Sequence, residues 1–352
     1  MKKILLSVLS LAMVATSAMA QSSDSSSVSL DPVIFGAVRA KYEQSTNADC
    51  LHRFNVRNSR LGVKGYASEH MKYAIQIDFN NEGKISILDS YVAYTAGNFE
   101  LSVGQAQYHF NADLDRGPSS SLFSNRSFLS KYLTTYFSDN KVKSIGSRDI
   151  GVVATYKLPL DLPVAITAGL MNGSGANNPE WSRNVNFTSR IAVGGKQGFQ
   201  AAASYYTGKT PFGQNIEMYG GELRYAGADY LVEAAFAERD IMDNGLHTIT
   251  AAHIHGYKKY YISKKCAVNH IAPHLRYDIG RGIEFINQQS MGLERYDADR
   301  ITIALNIGFA QKWIGSEIRL SYEEYIVGSK HSDAAINPLL QDKYTIEFIT
   351  SF

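Results

Sequence analysis

Residues 299–309 read DRITIALNIGF. Ile301, Ile303, Leu305, Ile307 and Phe309 fall on one side of an extended chain, and Arg300, Thr302, Ala304, Asn306 and Gly308 on the other. A period of two with one apolar face describes a strand that is dry on one side and wet on the other. Residues 70–80 repeat the pattern, with Met71, Tyr73, Ile75, Ile77 and Phe79 against Lys72, Ala74, Gln76, Asp78 and Asn80. The last segment does so again, with Tyr344, Ile346, Phe348, Thr350 and Phe352 against Lys343, Thr345 and Glu347.

Working outward from these, sixteen strand segments follow one another: 32–42, 54–66, 70–80, 84–95, 98–107, 148–157, 163–172, 186–194, 198–208, 216–226, 229–239, 247–257, 268–279, 299–309, 316–327 and 342–352. Most have about the 9–11 residues a tilted strand needs to cross a bilayer. Connections after odd-numbered strands read mostly long (43–53, 108–147, 173–185, 280–298, 328–341), and those after even-numbered strands mostly short (67–69, 96–97, 195–197, 227–228). Long loops at one end and tight turns at the other mark an outer-membrane barrel, whereas a soluble sandwich has no reason to sort its loops. Closing the sheet removes its edges and satisfies every backbone group, which hydrocarbon demands. The expected fold is all-β: a transmembrane antiparallel β-barrel of about 16 strands. Residues 258–267 (KKYYISKKCA) are too long for a turn at the short-loop end and leave the register open there.

The leading end reads as a signal peptide over 1–20: Lys2 and Lys3, the apolar run Ile4 to Val14, then Ala18-Met19-Ala20 before Gln21. The apolar run is shorter than the ~20 residues of a spanning helix. The Ser-rich stretch 21–31 is a flexible lead-in, and 32–352 the barrel. Without Lys2 and Lys3 the basic residues equal the 33 acidic ones. That balance argues against a nucleic-acid partner, which requires clustered positive charge. The 22 Tyr and 16 Phe suit aromatic girdles but equally a soluble sandwich, so composition alone leaves both open. Two cysteines, Cys50 and Cys266, make no disulfide framework and fall at opposite ends of this topology, so no pairing is expected.

One connection is unlike the rest. Residues 108–148 carry Arg116, Arg126, Lys131, Lys141, Lys143 and Arg148 against Asp113, Asp115 and Asp139. Their aromatic and apolar content, from Phe110 to Phe137, argues against a solvated loop. Long structureless connections in compact domains are usually functional. The expectation is a third outer loop folded into the lumen, narrowing the pore and giving it a positive wall.

At this point the chain resembles the phosphate-selective porin O and P family in its Bacteroidetes-type form. The resembling residues are Arg57 to Gly65 (RNSRLGVKG), Ile75 to Phe79 (IQIDF), Leu88 to Tyr94 (LDSYVAY), Leu101 to Gln105 (LSVGQ), Phe123 to Ser127 (FSNRS) and Arg148 to Val152 (RDIGV), mainly within 32–160. The resemblance implies a Gram-negative outer-membrane porin, a homotrimer, and a third loop whose basic residues select anions such as phosphate. Arg126 matches the recurring loop arginine after a Phe, and Arg60 and Arg148 match recurring basic positions beside the loop. Arg116 and Lys131 lie in the loop without a motif match. These five are the expected constriction residues. Their competing role is as solvated charges or partners of Asp113, Asp115 and Asp149. Terminal Phe352 resembles the signal read by barrel-insertion machinery.

Other constellations are bland by comparison. His253 and His255 alternate on one strand, with His270 and His274 on the next, which could make a metal site. No carboxylate or cysteine convincingly shares that face, so wall-lining histidines are expected, with no metal and no cofactor. No Ser-centred motif stands out, and Gly173-Ser174-Gly175 precedes no helix, so no enzyme is expected. Glu222, Arg224, Glu233, Arg239, Arg276, Arg319 and Glu323 read as paired wall charges. Expected partners are outer-membrane lipid and small anionic solutes. The alternatives are a non-selective porin and a plugged structural or adhesive barrel.

Overall fold

The structure is a computed structural model that describes residues 30–46, 50–81, 84–117, 120–133, 148–210, 213–242, 246–262, 267–286, 293–309, 315–327 and 341–352. The expected signal peptide, most of the lead-in, Lys141, Lys143 and Cys266 lie outside these residues. Cys50 is exposed.

The strands are β1 (Val33–Ser45), β2 (His52–Tyr66), β3 (Met71–Asn81), β4 (Lys84–Ala96), β5 (Phe99–Gln107), β6 (Arg148–Leu158), β7 (Val164–Met171), β8 (Asn186–Gly194), β9 (Gly198–Lys209), β10 (Asn215–Ala226), β11 (Tyr230–Met242), β12 (Leu246–Lys258, continued by Tyr260–Tyr261), β13 (Val268–Ile286), β14 (Leu293–Phe309), β15 (Gly315–Val327) and β16 (Lys343–Ser351). Each pairs antiparallel with its sequence neighbours, and β1 pairs with β16 from Ala37↔Ser351 to Ser45↔Lys343. The ring is closed. Phe352 completes it by exchanging both backbone hydrogen bonds with Gly36, at 2.9 and 3.1 Å. A Cβ on Gly36 would lie 2.8 Å from the Arg60 carbonyl and 2.5 Å from the Phe352 ring, so the seam requires glycine there.

Strands reach into two of the long connections expected from the sequence. β1 and β2 extend to Ser45 and from His52, and β13 and β14 fill most of 280–298. Their charged, weakly patterned ends read as loop, but neighbouring strands supply the ladder partners. The awkward 258–267 segment resolves likewise. Tyr260 and Tyr261 pair with Ile271 and His270, which shortens the hairpin.

Alternation sorts the wall as the period of two requires. Along β14, Arg300, Thr302, Ala304 and Asn306 are buried inside, while Ile303 and Leu305 face outward. A bulge interrupts this in β2. Asn58 sits in the left-handed region (φ 56°), and the register shifts opposite Ala37–Arg39. A bulge sets two residues against one, so Arg57 and Arg60, three apart, face the lumen together. The pattern inverts near the long-loop ends of β10–β12. There Ile216, Met218, Ala237, Ile241, Ile249 and Ala251 are buried inside, while Glu217, Glu238 and Asp240 face outward, bonded by Tyr205, Tyr219 and Thr248. No helix among the described residues is long and apolar enough to cross a membrane; this barrel crosses with strands.

Gly36→Val is expected to block seating of the last strand. Refolded protein should then lose the heat-dependent mobility shift of a closed barrel on denaturing gels, while Gly221→Ala, whose Cβ would meet nothing nearer than the Ala202 carbonyl at 3.7 Å, should keep it.

Candidate functional site

The loop after β5 begins with a single helical turn, Ala112–Asp115. The Asn111 side chain caps it by accepting from Leu114 N at 2.9 Å. The Glu222 carboxylate of β10 accepts from Ala112 N at 2.8 Å, where a helix start favours negative charge. Asp113 then ties the loop's two halves together by accepting from the Ser127 and Ser130 hydroxyls. Burial opposes its ionisation, but His253, Arg116, Arg276 and the Ser127 hydroxyl outweigh that and hold its carboxyl well below the usual range. Phe110, Leu114, Phe128, Leu129, Tyr132 and Leu133 are fully buried against the apolar inner patch of β10–β14. That patch gives the apolar half of the loop a dry seat.

Between these anchors the chain is laid across inward-facing wall residues, which take its carbonyls in turn. Arg319 donates to Ser121 O (2.5 Å), Asn306 to Leu122 O (3.2 Å), Arg39 to Phe123 O and Ser124 O (3.4 and 3.1 Å), Arg276 to Asn125 O (3.0 Å) and Arg300 to Arg126 O (2.6 Å). Arg190 serves Phe110 O, and Arg239 serves Tyr132 O and Leu133 O. The same arginines are paired with wall carboxylates: Arg39 with Glu347, Arg190 with Glu222, Arg239 with Glu284, Arg276 and Arg300 with Asp278, and Arg319 with Glu317.

The expected constriction residues separate into two groups. Arg60 is bonded to Asp78 at 3.0 Å and Arg148 to Asp89 at 2.8 Å. Arg116 makes a two-pronged pair with Glu233 and lies 3.5 Å from Asp113. Asp115 takes His109 at 3.2 Å, and Asp149 takes the amides of Ile150 and Gly173. Arg126, by contrast, has no carboxylate at salt-bridge distance among the described residues. It lines one lumenal cavity with Arg39, Arg57, Arg60, Arg116 and Arg276. Burial, then the like charges of Arg57 and Arg60, lowers its guanidinium to about 9, so it stays charged at neutral pH. Lys131 stands over the Tyr132 ring at 4.9 Å, and burial, followed by Lys343, Arg300 and Arg57, lowers it to about 7.

Arg57 is the residue that period-two reading assigns to the wrong face. It too has no carboxylate at salt-bridge distance among the described residues. The RNSR run around Asn58, a residue tolerant of the left-handed region, is the one signal for the bulge that turns it inward.

The histidine expectation also changes. A buried carboxylate does share that face: Glu233 of β11 stands opposite His255 in the ladder, a cross-strand relation that spacing along one strand does not reveal.

Sixteen antiparallel strands, closed, apolar outside and charged inside around a seated loop, define a porin of the Gram-negative outer membrane. No curated protein matches the chain by sequence. The chain belongs to the phosphate-selective porin O and P family, whose model matches residues 35–235. Solved structures share its fold at low identity. An anion-selective porin from Comamonas acidovorans is 11% identical at a TM-score of 0.60, covering 91% of this chain and 98% of that one. OprB of Pseudomonas putida is 9% identical at 0.60, over 91% and 94%. The trimer form of OmpT of Vibrio cholerae is 12% identical at 0.57, over 92% and 99%.

Arg116→Met should leave Glu233 buried without its guanidinium. Breaking such a pair costs about 3–5 kcal/mol, so amides of residues 112–130 should exchange markedly faster by mass spectrometry, while those of β3 and β4 stay unchanged.

Proposed function

We propose that this porin passes small solutes by diffusion with a preference for anions, set by a basic constriction in which Arg57 and Arg126 carry the uncompensated charge. The observation behind this reading is their position: both face one lumenal cavity among arginines whose charges are already met by carboxylates. An ion entering a narrow passage loses part of its water, and fixed charge must offset that loss without trapping it. A guanidinium suits the task, since it stays protonated and meets an oxyanion with a planar fork. Arg60, Arg116 and Arg148 shape the passage more than they charge it, because their pairs cancel most of their field. Lys131 adds a charge that pH can remove. Phosphate is the solute class the family description names; a general preference for small oxyanions is what two guanidiniums support.

A homotrimer is part of the proposal. Phe54 is 83% exposed and Ile85 is 73% exposed, at the long-loop ends of β2 and β4, where β10–β12 present carboxylates instead. An apolar exterior reaching that far fits a protein neighbour.

In planar bilayers under a potassium chloride gradient, Arg57→Ala and Arg126→Ala should each lower the anion-to-cation permeability ratio, and together abolish the preference. An unchanged ratio in the double variant removes both residues from the filter. Because Lys131 is charged below about 7 and neutral above it, the ratio should fall from pH 6 to pH 8.5, and Lys131→Arg should flatten that dependence. Phe54→Asp with Ile85→Asp should shift mild-detergent gels from trimer to monomer.

A further inference from the structure

We propose that Glu233, His253 and His255 bind one divalent transition-metal ion of the zinc class beneath the inner loop. The site borders the lumenal cavity and shares Arg116 and Phe123 with it, but the proposal does not depend on the anion preference. His253 and His255 are two residues apart on β12, which puts both rings on one face, and Glu233 lies across the ladder from His255. The Nε2 atoms of both imidazoles lie 3.7 Å from the same Glu233 oxygen, Oε1. Two ligands about 2.0–2.2 Å from one zinc ion would stand at that separation with an angle of roughly 125°, so a small contraction closes the shell.

Burial makes the arrangement a site rather than a chance cluster. His253 and His255 are each 3% exposed, and Glu233 1%. All four ring nitrogens are shut away from solvent without a hydrogen-bond partner. A neutral imidazole carries an N–H, and leaving one buried and unmatched is unfavourable. The two rings stack at 5.2 Å, and Phe123 closes over His255 edge-on at 5.7 Å, so the loop is the lid. Charge also permits a cation. Glu233 and Asp113, which interacts electrostatically with His253, face the single guanidinium of Arg116, while Arg276 is occupied by Asp278 and Glu323. Imidazole nitrogen with carboxylate oxygen selects zinc-class ions over calcium or magnesium, which want all-oxygen shells. An ion at this site would fix Glu233, and through it Arg116 and the helical turn of the loop.

The test uses the refolded barrel in detergent, titrated with Co²⁺. The expected result is one equivalent bound, with the visible absorption of a low-coordinate site, displaced by Zn²⁺. His253→Gln and His255→Gln should each lose the bands, while His70→Gln, at the exposed turn between β2 and β3, should keep them. Absence of bands in the wild type, as for a cavity holding only water, overturns the proposal, as do bands that persist in both variants. Should the variants fail to close into barrels, the X-ray absorption spectrum of the zinc-loaded wild type decides: a shell with two imidazoles supports the site, and an all-oxygen shell overturns it.

Discussion

Everything inside this barrel depends on side-chain donors of the wall reaching six consecutive carbonyls, Ser121 to Arg126. A loop threaded through a lumen has no ladder to satisfy its backbone, and each buried, unmatched carbonyl costs about 1–3 kcal/mol. Over six residues that is comparable to the whole margin on which a fold survives. Arginine solves the problem because its fork carries five donors. Arg39 gives two N–H groups to Glu347 and still reaches Ser124 O; Arg300 serves Asp278, Glu323 and Arg126 O at once. A lysine in either place could not span both jobs in one plane.

Under the proposed function, this division of labour decides which cations are left for solutes. Most wall arginines are bound on one side by carboxylates and on the other by the loop, so their long-range field is largely cancelled. In the proposed constriction the uncompensated guanidiniums are the bulged Arg57 and Arg126, whose carbonyl is held by Arg300 while its side chain lines the cavity. Structure and the proposed selectivity thus use the same residue type for opposite reasons: one set of arginines is satisfied, the other is held near like charge.

The strands were legible in the sequence because a wall that is dry outside and wet inside must alternate, and β3, β14 and β16 do so cleanly. The inner loop was legible by its length and apolar content. The charge pairing was not. Arg39 meets Glu347 from the far end of the chain, and Arg116 meets Glu233 across 117 positions, so no local pattern separates a neutralised arginine from a bare one. The left-handed conformation of Asn58 was equally hidden, and with it the face of Arg57. Where β10–β12 carry apolar residues inside and acids outside, the alternation persists but its sense reverses, because the loop rather than water fills the lumen there.

That reversal sets the height of the hydrocarbon on this arc of the wall. On β10 the outward apolar run lies between Tyr219, bonded to Glu238, and Tyr225, which packs against Tyr230 at 5.7 Å. The six steps from Tyr219 to Tyr225, at about 3.4 Å each, reach ~20 Å along the strand. Tilted at about 40°, they cover only ~15 Å of depth, well short of the ~25 Å band usual for such barrels. Lipid beside β10–β12 is therefore pinched. Each ångström of mismatch costs a fraction of a kcal/mol, so this flank favours short or disordered acyl chains and offers the softest place in the surrounding bilayer.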